Sequence, residues 1–525
     1  MKRGFFTGFF GGILLPGLLF AQDRYPDRIP FEGDVVTVEE VATIPDSTPG
    51  NPPRMSVVTT DPNGRLFVND QRGPLYLVQP DSGEVDTYLD LRSYPELDVV
   101  ATFEAGFQSF AFHPEFGNAG APGSGRFYTI HSCGNTEPSP DFATARNAGF
   151  DTLLLEWRTE DPDSPVFVPV DAEQPYREIL RIRQPFGNHN AGLITFSTVA
   201  LPGDEDHGLL YVAIGDGGSG GDPQENAEDP SNPFGAILRI DPLGTNSGNG
   251  RYGIPPENAL AADGDADSLG EIFAYGLRNP QRFAWDIVTE NGYIADIGQN
   301  SVEEINLLAN GAHYGWDLRE GTFVYEGGSG PVALTDPIAA YDHINSFSAP
   351  SVSIGNRAVT TGEVARGTLI PSLEGHLLLS DFPTGVLLVL DVDTDPFNGD
   401  QSGLREIRLR EPGGDPVRLL DLVNAARGAR GLGTSSRTDL RFSIGTPGRI
   451  YLSNKHDGIL RRLVPEKDPD ISLVPAEQAP ATVRFEGILQ TSTDLDSWKT
   501  LIPQPKTPWE PGTANLPLFL RAVKQ

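Results

Sequence analysis

The sequence predicts an all-β chain: a six-bladed β-propeller followed by a small C-terminal β appendage. Three observations carry this reading. A short apolar strand that opens on glycine recurs six times, at Gly64 (GRLFV), Gly125 (GRFYTI), Gly208 (GLLYVAI), Gly292 (GYIADI), Gly375 (GHLLLSD) and Gly448 (GRIYLSN), with successive spacings of 61, 83, 84, 83 and 73 residues. Each is followed by a second apolar strand, at 73–80, 152–160, 235–242, 303–310, 385–391 and 458–464, across a Gly-, Asp- or Asn-rich connection, which is the pattern of a β-hairpin. The 59 glycines and 46 prolines among 525 residues follow no collagen period and imply many turns. Even repetition of a multi-stranded unit is the signature of a propeller, whereas a pair of irregular β-sandwiches does not require it.

Taken in order, Met1 to Ala21 places Lys2 and Arg3 ahead of an apolar stretch that ends at Phe20 and a small residue, Ala21. This reads as a signal peptide over 1–21, cleaved near Ala21, with a periplasmic or secreted destination. The propeller is expected over 22–466. No later segment reaches the roughly 18 apolar residues needed to span a bilayer, so no membrane insertion is expected. Spacings near 83 residues exceed the roughly 40–50 of a minimal blade, so long loops are expected at 132–150, 217–232, 243–270 and 321–350. Only Gly413 to Gly431 reads as a short helix. After Val464 the composition turns Pro- and charge-rich, and Val483 to Gln525 resumes a β-like pattern. Residues 467–525 are therefore expected to form a linker and a small C-terminal β-domain or hairpin.

Acidic residues number 72 against 39 basic ones, a formal charge of −33. Such a chain repels phosphate backbones and anionic lipid, which argues against nucleic-acid partners. Only six of the basic residues are lysines, five of them after position 450. The single cysteine, Cys133, excludes an internal disulfide and a Cys-ligated metal. The acidic turns at 263–271 and 391–400 lack the sixth-position glycine and terminal glutamate of an EF-hand loop and read as solvated loops.

Four loop motifs gather the residues suited to chemistry: FEAGFQSFAFHPEF (103–116); GNHNAGLITF (187–196), followed by IGDGGSGGDP (214–223); AYGLRNPQRFAWD (274–286); and ADIGQNSVEEINLL (295–308), leading into HYGWDLREG (313–321). A histidine with an ordinary pKa near 6.5 is a competent general base at neutral pH, and His189 lies on a loop just before an apolar strand. Arg278 beside Asn279 offers a forked cation and an amide, a pair suited to a carboxylated ligand. The Asp296–Asn300 turn offers backbone carbonyls, which Ca²⁺ accepts as ligands.

In this order the motifs resemble the glucose/sorbosone dehydrogenase family, the soluble sugar dehydrogenases that use pyrroloquinoline quinone (PQQ) on a six-bladed propeller. The resemblance runs from about Arg54 to Val464. It implies oxidation of a small sugar or related alcohol with PQQ and Ca²⁺, and an electron acceptor that the sequence does not identify. It casts His189 as the base that takes the hydroxyl proton, with Asn188 beside it as a polar group that orients the base and contacts substrate. Asn188 stands where some relatives carry aspartate, so it adds no negative charge. Arg278, Asn279 and Ile297 are implied to face the cofactor, with Arg278 also catalytic, and Arg437 and Arg441 to meet its carboxylates. The carbonyls of Gly298 and Gln299 are implied to hold Ca²⁺, with Gln299 in place of the family's proline. Glu303, Glu304 and Asn306 are expected to hold that loop, Glu104 to touch substrate, and His113 to pack at a strand end. The turn SDFPTGVLL carries Pro383 and Thr384 where quinone-binding relatives place a lysine. The alternative is a non-enzymatic propeller that has lost quinone binding and takes a glycan or protein partner, as in the related hedgehog-interacting proteins.

Overall fold

The computed structural model describes residues 24–465 apart from 136–138, 327–332, 345, 348–356 and 447, and beyond them only the strand backbones within 471–523. Residues 1–23, where the signal peptide is expected, lie outside the described residues.

Each blade is four antiparallel strands. The first holds Met55–Thr60, Leu66–Asp70, Pro74–Val78 and Val85–Asp90. The second holds Phe107–Phe112, Arg126–Gly134, Phe150–Arg158 and Tyr176–Arg183. Ala191–Phe196, Leu210–Ile214, Ala236–Ile240 and Ile272–Ala274 make the third, and Arg282–Trp285, Gly292–Asp296, Val302–Leu308 and Ala339–Asp342 the fourth. The fifth is Val359–Val364, His376–Asp381, Val386–Asp391 and Leu404–Arg410. The sixth takes Arg441–Phe442, Tyr451–Ser453 and Ile459–Val464 from its own stretch of chain and its fourth strand, Phe31–Thr43, from the other end.

The glycine-led repeats are the second strand of every blade, and their hairpin partners the third. Five of the six leading glycines, all but Gly292, sit at φ between 69° and 83°. That left-handed turn out of the first strand suits a residue without a Cβ. The first strands, which carry no such mark in the sequence, touch one another in a closed cycle around the axis. The helix expected within 413–431 is present as Leu419–Ala429. Within 471–523, Ile471–Val474 pairs with Thr482–Phe485, and Ile488–Ser492 pairs with Lys499–Thr500 and Phe519–Val523, in sheets separate from the blades.

Blades stick together through apolar wedges. Phe67, Phe112, Phe116, Phe127 and Trp157 form one buried aromatic cluster spanning the first two blades, with Phe127 and Trp157 stacked at 6.2 Å. Strand Phe31–Thr43 closes the ring. It pairs antiparallel with the third strand of the sixth blade (Val38 opposite Leu463) and parallel with the last strand of the fifth (Val36 opposite Leu409), fusing two blades into one eight-stranded sheet. Val36 and Val38 are buried in the core these blades share.

Placing a carboxylate at Val38 buries an unpaired charge in that seam. Val38→Asp should destabilise the ring by about 3 kcal/mol or more, seen as a lowered thermal midpoint, whereas Thr43→Asp at the exposed end of the same strand should change little.

Candidate active site

Two turns of each blade face one end of the axis: the segment that enters the first strand, and the hairpin between the second and third. The entering segments supply Glu104, His189, Arg278 with Asn279, Arg357, and Arg437 with Asp439; the hairpins supply Gly298 with Gln299, Pro383 and Lys455. Together with Ile297 and Arg441 these line one cavity of about 240 Å³. Every residue expected at the site is among them except Asn188.

His189 has φ 52°, a left-handed conformation uncommon for a residue with a Cβ. Two contacts hold it there. Its backbone N–H donates to Glu104 Oε2 at 2.7 Å, and its Nδ1 lies 2.7 Å from Asp216 Oδ1. Asp216 sits in the hairpin of the third blade, fully buried, and also accepts from Gly218 N at 2.8 Å and Trp316 Nε1 at 3.0 Å. Burial alone would raise its pKa, but the charge and hydrogen bond of His189, the Arg278 charge and the Gly218 amide outweigh that and hold it below the ordinary carboxylate value. An ionised Asp216 accepts the Nδ1 proton, which leaves Nε2 as the basic nitrogen. The glycines of GDGG permit this approach, since a Cβ on Gly215 would stand 2.6 Å from the His189 carbonyl oxygen and one on Gly218 2.4 Å from that of Asn188.

One expectation needs correcting here. Asn188 does not line the cavity, because its Oδ1 accepts from Ser219 N at 3.1 Å. The partner of His189 is therefore a carboxylate, Asp216, and not an uncharged amide. Glu104 lines the cavity, and its Oε2, by accepting from the His189 backbone N–H, also positions the base.

The Arg278–Asn279 turn is pinned from below. Asp296, buried between the strands of the fourth blade, accepts from Arg278 N at 2.9 Å and Asn279 N at 2.7 Å. Glu320 Oε1 accepts from the amides of Gln299, Asn300 and Ser301 at 2.7 to 2.8 Å. With those amides drawn toward Glu320, the carbonyls of Ile297 and Gly298 point to the cavity, where Arg278 Nη1 meets them at 2.9 and 2.7 Å. Gln299 Oε1 accepts from Arg278 Nε at 3.1 Å and Nη2 at 2.8 Å. Glu303 does not bind within this loop: its carboxylate lies 2.6 Å from His343 Nε2, just past the last strand of its own blade, and accepts from Val359 N of the fifth blade at 2.7 Å. Glu304 accepts from Gly321 N.

The opposite wall is cationic. Five basic side chains (Arg278, Arg357, Arg437, Arg441 and Lys455) and two carboxylates (Glu104 and Asp439) line the cavity, in a chain whose net charge is −33. Asp439 is already paired to Arg437 at 2.8 Å and His456 at 3.1 Å. Arg441 lies 3.7 Å over the Phe382 ring and donates to Gln281 Oε1 at 2.7 Å, leaving its Nε buried without a partner. Lys455 donates to Gln71 Oε1 at 3.1 Å. Its pKa is held well below the ordinary lysine value by burial first and then by Arg441 and Arg54. Lys455 is the one lysine between residues 22 and 466. It stands 5.7 Å from the ring of Phe382, next to the Pro383–Thr384 turn that lacks the expected lysine, and reaches there from the neighbouring blade.

A model of the glucose/sorbosone dehydrogenase family matches residues 51–416. The chain belongs to that family. It is 27% identical over 410 residues to the HIPL1 protein of Arabidopsis thaliana, covering 68% of this chain and 56% of that one. Quinoprotein glucose dehydrogenase B of Acinetobacter calcoaceticus matches at 25% over 316 residues, 58% of this chain and 56% of its own. The soluble aldose sugar dehydrogenase of Escherichia coli, solved in the apo-form, superposes with a TM-score of 0.53 at 18% identity, over 82% of this chain and 99% of that one, and so shares the fold. The chain spans about half the length of the curated relatives it matches.

The cationic wall fits the carboxylated quinone associated with this dehydrogenase family, because buried like charges and an unpartnered guanidinium nitrogen call for an anion. The Gly298–Gln299 loop does not fit Ca²⁺ in the same way. An ion coordinated at 2.3–2.6 Å by the Gly298 carbonyl would crowd the guanidinium that already holds that oxygen at 2.7 Å.

Asp216 and Lys455 were the residues sequence reasoning missed. Asp216 stood inside a quoted motif, and Lys455 was marked only by its rarity. A second cavity, of about 470 Å³, opens at the far ends of the first strands around Glu363, whose pKa burial raises to about 7; no histidine lines it. No helix among the described residues is long and apolar enough to cross a membrane.

Because Arg441 and Arg54 crowd half-buried Lys455 with like charge, Lys455→Met should stabilise the ligand-free protein by up to about 1 kcal/mol. A raised thermal midpoint that becomes less marked when a polycarboxylate such as citrate is added would be the expected record.

Proposed function

We propose that this chain is an exported quinoprotein oxidoreductase that oxidises a sugar or related alcohol, with His189 as general base and PQQ as cofactor. The observation that carries the reading is the meeting, in one cavity, of the Asp216-oriented imidazole with a wall of buried and half-buried cations. The kinship with a quinoprotein glucose dehydrogenase adds support.

The roles follow from the contacts. Arg437, Arg441 and Lys455 would hold the carboxylates of the cofactor through charge-assisted contacts, and Asn279, with the one Nη2 hydrogen of Arg278 that the loop leaves free, would meet its ring oxygens. Bound there, the quinone supplies the two-electron acceptor for the hydride that leaves the substrate carbon. His189 Nε2 takes the hydroxyl proton as the carbon–oxygen bond becomes a carbonyl, and Asp216 stabilises the imidazolium that results. Glu104 and Trp316 keep the pair in register.

The test is reconstitution. With PQQ and Ca²⁺ supplied, the full chain should reduce an artificial electron acceptor when given aldoses. His189→Ala should lower turnover by roughly 10²–10⁴-fold while quinone still shifts the thermal midpoint. Lys455→Met should weaken quinone binding about tenfold, the loss of one charge-assisted contact. If added quinone leaves absorbance and thermal midpoint unchanged, the proposal fails and a glycan- or protein-binding propeller takes its place.

A further inference from the structure

We propose that in this chain the Arg278 guanidinium, clamped by Gln299, takes the place of the metal ion, so that the anionic quinone binds without Ca²⁺. The inference rests on the quinone reading above.

Four donor hydrogens of Arg278 are spent on one loop, two on the carbonyls of Ile297 and Gly298 and two on Gln299 Oε1. These carbonyls include the first of the pair that the family resemblance assigns to the ion. A guanidinium is charged at every accessible pH and spreads that charge over a planar fork. Lodged on those oxygens, it presents positive charge to the cavity from the same loop. Gln299 makes the arrangement specific to this chain. Its side-chain carbonyl is the acceptor for Nε and Nη2, and it also accepts from Gly221 N at 3.2 Å, which ties the clamp to the neighbouring blade. Proline, the residue the resemblance places there, offers no side-chain acceptor at all.

The surroundings are built to hold this state. Arg278 is buried, its backbone fixed by Asp296, and its guanidinium lies 5.5 Å from the ring of Trp316. The loop cannot retreat, because four of its amides converge on Glu320 and a Cβ on Gly298 would stand 1.7 Å from the Val302 carbonyl oxygen. Replacing a divalent ion by one guanidinium halves the local charge, and Lys455 adds one cation to the wall that faces the ligand.

The experiment is a titration of PQQ onto the full chain, followed by absorbance and thermal midpoint, once in chelator and once in excess Ca²⁺. The wild type should bind with the same affinity in both, within about threefold. Gln299→Pro should lose about tenfold or more in chelator and recover in Ca²⁺. Should that variant fail to fold, Gln299→Ala removes the same acceptor without restraining the backbone and should show the same dependence. A wild type that loses tenfold in chelator and regains it with Ca²⁺ overturns the inference and leaves the quinone reading standing. A wild type indifferent to the ion, with variants equally indifferent, removes the clamp from the explanation. Absence of quinone binding in both conditions overturns both readings.

Discussion

The pairing of strand Phe31–Thr43 with blades at the opposite end of the chain is the constraint on which the site depends. A propeller without it is an open arc whose first and sixth blades need not meet. The cavity is lined from Phe103 to Lys455, so residues some 350 positions apart share it only because the ring is shut. The strand grips two blades at once, antiparallel to one and parallel to the other. Closing so long a loop is entropically unfavourable, but the penalty grows only slowly with length and is offset by the buried apolar seam.

Once closed, the ring gives every blade the same two ways of reaching the axis. Those turns are loops, free to vary, while the strands beneath them are not. The chain uses the freedom to separate its charges: the exterior carries the acidic excess, and the cavity gathers cations with few carboxylates to match. Such a site is least comfortable when it is empty, which is the ordinary relation between stored electrostatic strain and ligand affinity.

Much of the fold was legible because the second and third strands of each blade carry a glycine and an apolar run in fixed order. The first and fourth strands carry no such mark. Met55–Thr60 and Val359–Val364 are defined by neighbours in other blades, which linear sequence does not show. The site was readable where one motif contained a whole function, as in GLRNPQ. It was misread where function lies between motifs: the partner of His189 is not the adjacent Asn188 but Asp216, 27 residues on. Lys455 escaped for the same reason, since it serves a turn of the previous blade.

The distribution of lysine also matters to anyone who handles the protein. Apart from Lys2, the lysines outside the ring all lie beyond residue 466, and the one within it is half-buried in the wall of the axial cavity. Amine-directed chemistry, whether acylation, cross-linking or coupling to a surface, therefore finds almost nothing on the propeller's rim. Attachment is steered to the amino terminus or the C-terminal stretch, and the mouth of the cavity is left open.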